Sequence, residues 1–161
     1  AFGVENPRVY IYRGRLLSKL GYAAEGRKDI ERALELAPDL VDALLAMGQT
    51  SFNDKNYTKA IENLSKALEQ LPDHAEGQYM LGMAYIYANR QREGAQRLQT
   101  AVKQGYDDPE VFRTLGYLYK DLGQRSLAIE SFEKYLQGTQ DKDVPTATRR
   151  ELLRQIKELG G

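Results

Sequence analysis

The chain has 161 residues, and its 23 basic and 23 acidic side chains leave no net charge. Balanced charge argues against a dedicated nucleic-acid binder, which normally concentrates basic residues on one face. The lack of cysteine excludes disulfides and thiolate metal sites, and the single histidine excludes a site built from several histidines. A hydrophobic content of 42% is typical of a folded protein, and no apolar run reaches the ~18 residues that span a bilayer. We therefore expect a folded protein with no nucleic-acid partner, no cofactor and no membrane span.

The predicted elements, taken in chain order, are all helices. Apolar residues recur at steps of three and four, and breakers such as 53–56 (Asn-Asp-Lys-Asn) separate the periodic segments. The pattern predicts helices near 8–20, 24–36, 41–53, 57–70, 75–88, 91–103, 109–121 and 125–137. Turns of about three residues between such helices require that neighbours lie antiparallel.

The same residue types return every 34 positions along most of the chain. One series consists of Gly14, Gly48, Gly82 and Gly116, and a second consists of Ile30, Leu64, Leu98 and Phe132. A third series is formed by Ala33, Ala67 and Ala101, with Tyr135 in the fourth place. This periodicity predicts four helix pairs, over residues 7–40, 41–74, 75–108 and 109–142.

The stretches 81–85 (Leu-Gly-Met-Ala-Tyr) and 115–119 (Leu-Gly-Tyr-Leu-Tyr) resemble the signature of the tetratricopeptide repeat family. The resemblance extends over residues 7–142 and implies an all-α fold, a right-handed α-solenoid of antiparallel helix pairs. The sequence departs from the family pattern at Gln78, where the family often has tryptophan, and at Tyr106, which replaces a closing proline.

Residues 143–161 do not follow the repeat, and we interpret them as a C-terminal capping helix. An apolar stripe is formed by Leu152, Leu153, Ile156 and Leu159. Thr148 and Glu151 have the spacing of a capping box at the start of a helix. A solenoid needs its last apolar face covered, which favours a cap over the alternative, an amphipathic helix for a partner or a membrane.

Residues 1–6 are interpreted as the remnant of a preceding repeat. The stretch 3–7 (Gly-Val-Glu-Asn-Pro) aligns with 105–109 (Gly-Tyr-Asp-Asp-Pro), which is the junction between two repeats. The alternative is an ordinary N-terminal arm. In either case Asn6 and Pro7 are suited to cap and begin the first helix.

Catalytic constellations are missing from the sequence. It contains no phosphate-binding glycine loop, no dinucleotide fingerprint and no paired-histidine zinc motif. Carboxylates such as Glu31 and Glu35 alternate with bases such as Arg32, which is typical of a solvated helix surface. His74 falls at a repeat junction, where we expect a role at a helix start or in a loop. We therefore predict that the chain is not an enzyme and has no catalytic, cofactor-binding or metal-binding residues.

The resemblance implies that the first helix of each repeat lines a concave groove, which becomes the candidate partner-binding site. The predicted groove residues are Arg8, Ile11, Tyr12, Arg15, Lys19, Leu45, Gln49, Phe52, Tyr79, Met80, Met83, Tyr87, Arg113, Tyr117 and Lys120. Their tyrosines exceed what helix packing needs, and exposed aromatic side chains mark contact sites. The alternative is an inner wall that binds no ligand. Such a groove suits a segment with apolar or aromatic anchors, while Arg8, Arg15 and Lys19 suit an acidic group beside them.

Members of this family that hold the acidic tails of chaperones use a clamp of lysine, asparagine and arginine. The clamp positions hold here Ile11, Arg15, Ala46, Glu76 and Met80, or, one repeat later, Leu45, Gln49, Met80, Glu110 and Thr114. Neither set supplies the clamp, so we do not expect a chaperone tail as the partner.

The leading prediction is therefore a protein–protein interaction scaffold that binds a peptide or partner segment in its groove, as part of a larger protein. The alternative is a structural spacer or self-assembly element of a bacterial envelope or secretion assembly, with contacts through the convex face or the ends. A third reading attaches the repeats to an enzyme elsewhere in a longer chain. Composition is compatible with the cytoplasm and with the bacterial periplasm, so the localisation stays open.

Overall fold

In the computed structural model, residues 5–139 and 144–160 are described, and they contain nine helices. The helices are α1 (Pro7–Lys19), α2 (Ala23–Leu36), α3 (Val41–Asn53), α4 (Tyr57–Gln70), α5 (Ala75–Tyr87), α6 (Gln91–Lys103), α7 (Glu110–Asp121), α8 (Arg125–Gly138) and α9 (Thr146–Gly160). No end of the first eight differs from its prediction by more than one residue. None of the helices in these two ranges is long and apolar enough to cross a membrane.

The helices stack in pairs along one direction. We call α1, α3, α5 and α7 the A helices, and α2, α4, α6 and α8 the B helices. Each A helix packs on the B helix that follows it, and each B helix packs on the next A helix. The buried side chains form three successive clusters along this stack rather than one central core. The core is therefore built between neighbours, which is how a solenoid buries apolar surface.

The turn from A helix to B helix has one geometry throughout. Gly21, Lys55, Asn89 and Gly123 occupy the same repeat position, and all four have positive φ angles, of 92°, 60°, 61° and 74°. Glycine and asparagine enter this left-handed region most readily, and the lysine is an exception that the tight turn enforces. Because the same turn recurs in each repeat of the chain, the predicted helix boundaries were accurate.

The two main periodic series of the sequence meet in space. The glycine of each A helix faces the large apolar residue of its B helix. A Cβ atom on Gly48 would lie 2.5 Å from Leu64 Cγ, and one on Gly82 would lie 2.9 Å from Leu98 Cδ2. The residues that recur every 34 positions are therefore those at the closest approach of the paired helices.

Two predicted helix starts are confirmed. The Asn6 side chain accepts a hydrogen bond from the backbone N–H of Arg8 at 3.0 Å, and Pro7 is the first residue of α1. His74 Nδ1 accepts from the N–H of Gly77 at 2.9 Å, so the single histidine is the N-cap of α5. These side chains satisfy amide groups that the first helical turn leaves without partners.

The capping box predicted at Thr148 and Glu151 is wrong. α9 begins two residues earlier, at Thr146, and the carbonyl of Pro145 accepts the hydrogen bond of Arg149 N–H at 3.1 Å. Thr148 therefore lies in the first turn of the helix and is not its N-cap residue. The rest of the predicted helix is present over Thr146–Gly160.

The apolar stripe of α9 packs on α8, but its predicted membership needs one correction. Leu152 is fully buried, and Ile156 and Leu159 pack against the same cluster. Leu153 is 53% exposed and points away from that cluster. Of the predicted remnant 1–6, residues 1–4 lie outside the described part of the chain, so that interpretation stays a prediction.

Candidate partner-binding face

Two adjacent cavities open on the surface formed by α1, α3 and α5, which we call the A-helix face. The larger, the polar cavity, has about 640 Å³. It is lined by Arg15, Ser18, Lys19, Ile30, Asp42, Leu45, Ala46, Gln49, Thr50, Asn53, His74, Glu76 and Met80. The smaller, the aromatic cavity, has about 170 Å³ and is lined by Gln49, Phe52, Tyr79, Met80, Met83 and Tyr87. Gln49 and Met80 line both, so the two cavities adjoin.

The polar cavity combines an apolar floor with charged walls of both signs. Leu45 and Ala46 form part of the floor and are only 8% and 3% exposed. α1 contributes Arg15, whose Nη2 donates to the carbonyl of Asp42 at 3.4 Å. Lys19 stands one helical turn further along α1 and lines the same cavity. The basic groups are thus concentrated at the α1 side.

The aromatic cavity is bordered by a cluster of three rings at the end of α3, the start of α4 and the end of α5. Phe52 lies edge-on to both Tyr57 and Tyr87, with ring centroids 5.6 Å and 5.5 Å apart. Tyr57 and Tyr87 are stacked at 5.3 Å. Tyr87 nevertheless remains 56% exposed, so the cluster presents an aromatic surface to solvent.

Tyr79, which also lines this cavity, makes a second aromatic contact. Its ring stacks on Tyr106 with centroids 4.3 Å apart and planes 12° apart. Burial raises the pKa of Tyr79, and burial also raises the pKa of Tyr106 to about 12. Both phenols are therefore neutral at physiological pH. Tyr106 stands where the family has its closing proline, and it uses that place to pack on Tyr79.

Nine of the predicted groove residues line the two cavities. They are Arg15, Lys19, Leu45, Gln49, Phe52, Tyr79, Met80, Met83 and Tyr87. They come from α1, α3 and α5, so the structure brings the middle of the predicted groove together. The prediction of excess tyrosines needs refinement, because Tyr79 is half-buried against Tyr106 while Tyr12 and Tyr87 are 68% and 56% exposed.

Six predicted residues line neither cavity, and Ile11 is the clearest correction. Ile11 is 2% exposed and packs in the cluster between α1, α2 and α3, so it has no surface for a partner. The Nζ of Lys120 donates to Gln155 Oε1 of α9 at 2.6 Å, so it connects α7 to the C-terminal helix. Arg113 forms an ion pair with Glu110 at 2.6 Å. These side chains have intramolecular partners that the sequence alone did not reveal.

The remaining three lie on the surface away from the cavities. Arg8 and Tyr12 are exposed on α1, near the N-terminal end of the stack. Tyr117 is 38% exposed and meets the buried ring of Phe132 edge-on, with centroids 5.1 Å apart. Tyr117 thus packs on the contact between α7 and α8.

The sequence analysis missed several residues of the site. Tyr57 was not considered because it begins a B helix, and only the tight turn before α4 brings its ring to the rim of the aromatic cavity. Ser18 lines the polar cavity at the repeat position that Phe52 and Lys120 also occupy, and Thr50 lines it although its repeat equivalents Ala84 and Leu118 are buried. Among the residues that the structure describes, no group of three or more acidic or imidazole side chains is placed to hold a metal ion.

Three profiles of the tetratricopeptide repeat family match the chain, over residues 13–75, 51–116 and 112–137. Together they extend from the middle of α1 almost to the end of α8. The chain belongs to the tetratricopeptide repeat family. The resemblance inferred from the two signature stretches is therefore confirmed.

Curated relatives match this tetratricopeptide repeat chain over most of its length. The tetratricopeptide repeat-containing protein trd-1 of Caenorhabditis elegans is 28% identical over 131 residues, which are 81% of this chain and 17% of that protein. The Hsp70-Hsp90 organizing protein 2 of Arabidopsis thaliana is 32% identical over 110 residues, which are 66% of this chain and 19% of that protein. The chain thus spans about a fifth of the length of these two relatives.

Solved structures of similar fold include several of MamA. The "MamA RS-1 ArsTM double mutant" superposes with a TM-score of 0.79 at 23% identity, covering 87% of this chain and 79% of that one. "MamA 41-end from Desulfovibrio magneticus RS-1" superposes with a TM-score of 0.75 at 23% identity, covering 82% and 75% of the two chains. At this identity the likeness concerns the fold, and it confirms the predicted all-α right-handed solenoid of helix pairs.

Proposed function

We propose that this tetratricopeptide repeat chain is a protein-interaction scaffold that binds a partner segment along its A-helix face. The observation that carries the proposal is the pair of adjoining cavities, which joins an aromatic surface to a charged one across three successive A helices. Exposed aromatic side chains beside methionines suit the binding of apolar anchors. The name of one relative, an Hsp70-Hsp90 organizing protein, supports a scaffold role in the family.

Each of the two cavities binds a different group of the partner segment. An apolar or aromatic side chain of the partner enters the aromatic cavity, between Met83 and Tyr87. A neighbouring acidic group lies in the polar cavity near Arg15 and Lys19, where Coulomb attraction favours it. Segments held in this way commonly bind with micromolar affinity, which corresponds to about −8 kcal/mol.

The proposed partner is not the acidic tail of a chaperone. At the clamp positions, Ile11 and Ala46 are only 2% and 3% exposed, so neither presents a polar group to a terminal carboxylate. Glu76 lines the polar cavity and would repel an acidic tail there. One isolated acidic residue near α1 avoids that repulsion.

The test uses peptides selected from a random display library against the wild-type chain, with affinities measured by calorimetry. Tyr87→Ala removes an exposed ring of the aromatic cavity, and we expect the affinity of the selected peptides to fall at least about tenfold, or about 1.4 kcal/mol. Tyr22→Ala is the matched control, because Tyr22 is 57% exposed and lines neither cavity. We expect that control to bind as the wild type does.

Two outcomes would contradict the proposal. If the selected peptides bind both Tyr87→Ala and Lys19→Glu as tightly as they bind the wild type, they do not use the A-helix face. A selection that yields only sequences without an apolar or aromatic residue would remove the role of the aromatic cavity.

A second candidate function, end-to-end self-assembly, is favoured by the outer face of α1. Val9 and Leu16 are 58% and 57% exposed there. Their repeat equivalents in the later A helices are buried against a preceding B helix: Ala43, Gly77 and Val111 for Val9, and Thr50, Ala84 and Leu118 for Leu16. An apolar face of this kind favours contact with another copy of the chain.

Light scattering over a range of protein concentrations tests this second candidate. We expect the wild type to show a mass above that of one chain at high concentration, and Leu16→Glu to remove the increase because it places a charge on the contact. A wild type that stays monomeric at every concentration rejects self-assembly through α1.

A further inference from the structure

A third cavity lies outside the A-helix face and is lined by residues of α6, α7 and α8. It has about 250 Å³ and opens between α6 and α8, above α7. Both B helices pack on α7 but, over their described lengths, not on each other. We call this cavity the B-helix crevice and follow six of its lining residues, Val102, Lys103, Phe112, Tyr119, Leu127 and Ser131.

The crevice is open because two side chains differ from those of the preceding repeat. Ser131 and Phe112 stand 34 residues after Arg97 and Gln78. In the preceding repeat the Arg97 guanidinium crosses to Gln78, with Nη1 donating to Oε1 at 3.2 Å. Ser131 is too short to do this, and its hydroxyl instead donates to the carbonyl of Leu127 on its own helix at 2.7 Å. The crevice therefore has the volume of a side chain that the chain does not itself supply.

One of the lining residues carries a buried hydroxyl without a partner. Tyr119 is 4% exposed and lines the crevice, and its hydroxyl makes no hydrogen bond to any described residue. Burial, with a smaller contribution from the negative charge of nearby Glu130, raises the pKa of Tyr119, so the phenol keeps its proton. Buried donors in native proteins nearly always have an acceptor, and one left without costs stability. A ligand that brings an acceptor removes that cost.

The rim of the crevice is also unlike its counterparts. Leu127 is 37% exposed at a position where the earlier repeats have the charged residues Glu25, Lys59 and Glu93. Lys103 stands where they have Glu35 and Glu69. The other lysine of the crevice, Lys134, is paired with Glu130 at 2.7 Å, whereas Lys103 forms no ion pair within the described ranges. The rim therefore offers one apolar contact and one cation.

We propose that the B-helix crevice binds one large apolar side chain of a partner protein, followed by an acidic residue. The apolar side chain contacts Phe112, Val102 and Leu127, a carbonyl of the partner backbone accepts from the Tyr119 hydroxyl, and the carboxylate lies against Lys103. The volume is below the ~300–1,000 Å³ of small-molecule sites, which favours a single side chain over a metabolite. The proposal is independent of the A-helix face, since the two sites share no residue.

The test uses the dipeptide acetyl-Phe-Asp-amide as the probe, and follows the methyl and amide signals of the whole chain by NMR. We expect shifts at Val102, Leu115 and Leu127 with millimolar affinity. Acetyl-Ala-Asp-amide lacks the ring and is expected to cause no shift there. Acetyl-Phe-Asn-amide lacks the charge and is expected to bind more weakly, because Lys103 has no carboxylate to meet.

Ser131→Arg fills the crevice from within, as Arg97 does one repeat earlier, and we expect it to lower the affinity for acetyl-Phe-Asp-amide at least about tenfold. Ser131→Ala leaves the crevice open and is the matched control, with affinity unchanged. Tyr119→Phe removes only the hydroxyl, so we expect unchanged or higher melting temperature together with several-fold weaker binding.

Binding that Ser131→Arg and Tyr119→Phe leave unchanged would overturn the proposal, and so would the absence of any shift at millimolar probe. If Ser131→Arg does not fold, Tyr119→Phe and Leu127→Glu decide the question. Tyr87→Ala should bind the probe as the wild type does. A loss in Tyr87→Ala, with shifts in α3 and α5, would show that the probe occupies the A-helix face instead.

Discussion

At the scale of single residues, the protein depends on pairs in which a small residue faces a large one. The four periodic glycines let the backbone of each A helix approach the apolar side chain of its B helix, as Gly82 does with Leu98. Leu98 is itself fully buried, so it has little room to move aside. Close-packed interiors of this kind respond to the addition of even one methyl group.

A substitution of Gly82 by valine is therefore expected to destabilise the fold. Its Cβ would lie 2.9 Å from Leu98 Cδ2 and 3.1 Å from the Leu98 backbone nitrogen, and both contacts are too close. We expect the free energy of unfolding in urea to fall by about 1–3 kcal/mol.

Gly138→Val is the matched control for this prediction. A Cβ atom at Gly138 has only ordinary contacts, with Pro109 at 3.7 Å, and the residue is exposed near the end of α8. We expect the free energy of unfolding to change by less than about 0.5 kcal/mol. Equal losses in both variants would mean that the close contact with Leu98 does not decide the result.

At the scale of elements, α9 takes the place of a further A helix at the end of the stack. Its apolar residues complete the cluster that α7 and α8 begin, and Lys120 of α7 reaches across to Gln155 of α9. Gln155 Nε2 in turn donates to Glu151 Oε1 at 2.7 Å, so the connection continues along the helix. This element covers a surface that would otherwise be apolar and exposed.

The adjacent leucines of α9 provide a direct test of the cap. Leu152→Ala removes a fully buried side chain, and we expect the free energy of unfolding to fall by about 2–5 kcal/mol. Leu153→Ala removes one that is 53% exposed, and we expect a change below about 0.5 kcal/mol. Urea unfolding followed by circular dichroism measures both. A Leu152→Ala variant as stable as Leu153→Ala would show that α9 does not hold its place on α8.

At the scale of the whole molecule, each repeat is stabilised by its contacts with the neighbouring repeats. Each helix packs chiefly on the helices next to it, and the three core clusters follow one another along the stack. In such an array the interior repeats are supported on both sides. Within the described ranges, other helices pack on α1 from one side only, and its outer residues Val9 and Leu16 are more than half exposed.

Amide hydrogen exchange should therefore differ along the chain. We expect the slowest exchange in α3 to α6 and faster exchange in α1, because local opening of α1 breaks contacts on one side only. Mass spectrometry of proteolytic fragments measures this at fragment resolution. Uniform protection from α1 to α6 would mean that the stack unfolds as a single unit.

The helix boundaries could be predicted from the sequence, but the partners of individual side chains could not. The helix boundaries were accurate because the turns at Gly21 and Asn89 share one geometry and recur at a fixed spacing. Predicted groove residues of the middle repeats, such as Met80 and Tyr87 of α5, line the aromatic cavity, and their role in binding stays a prediction. At the ends of the stack Ile11 is buried and Lys120 bonds to α9, which the sequence did not predict because helical phase alone does not specify a side chain's partners.

The sequence by itself determined the repeat, the helices and the family, because these depend on local periodicity and on spacings that recur every 34 residues. Only the tertiary structure decided which side chains remain open to a partner. The 34-residue period specifies equivalent positions but not what fills the space between them. Arg97 donates to Gln78, whereas the equivalent Ser131 donates within its own helix and lines a cavity. Packing between distant residues makes that difference, and no periodic pattern encodes it.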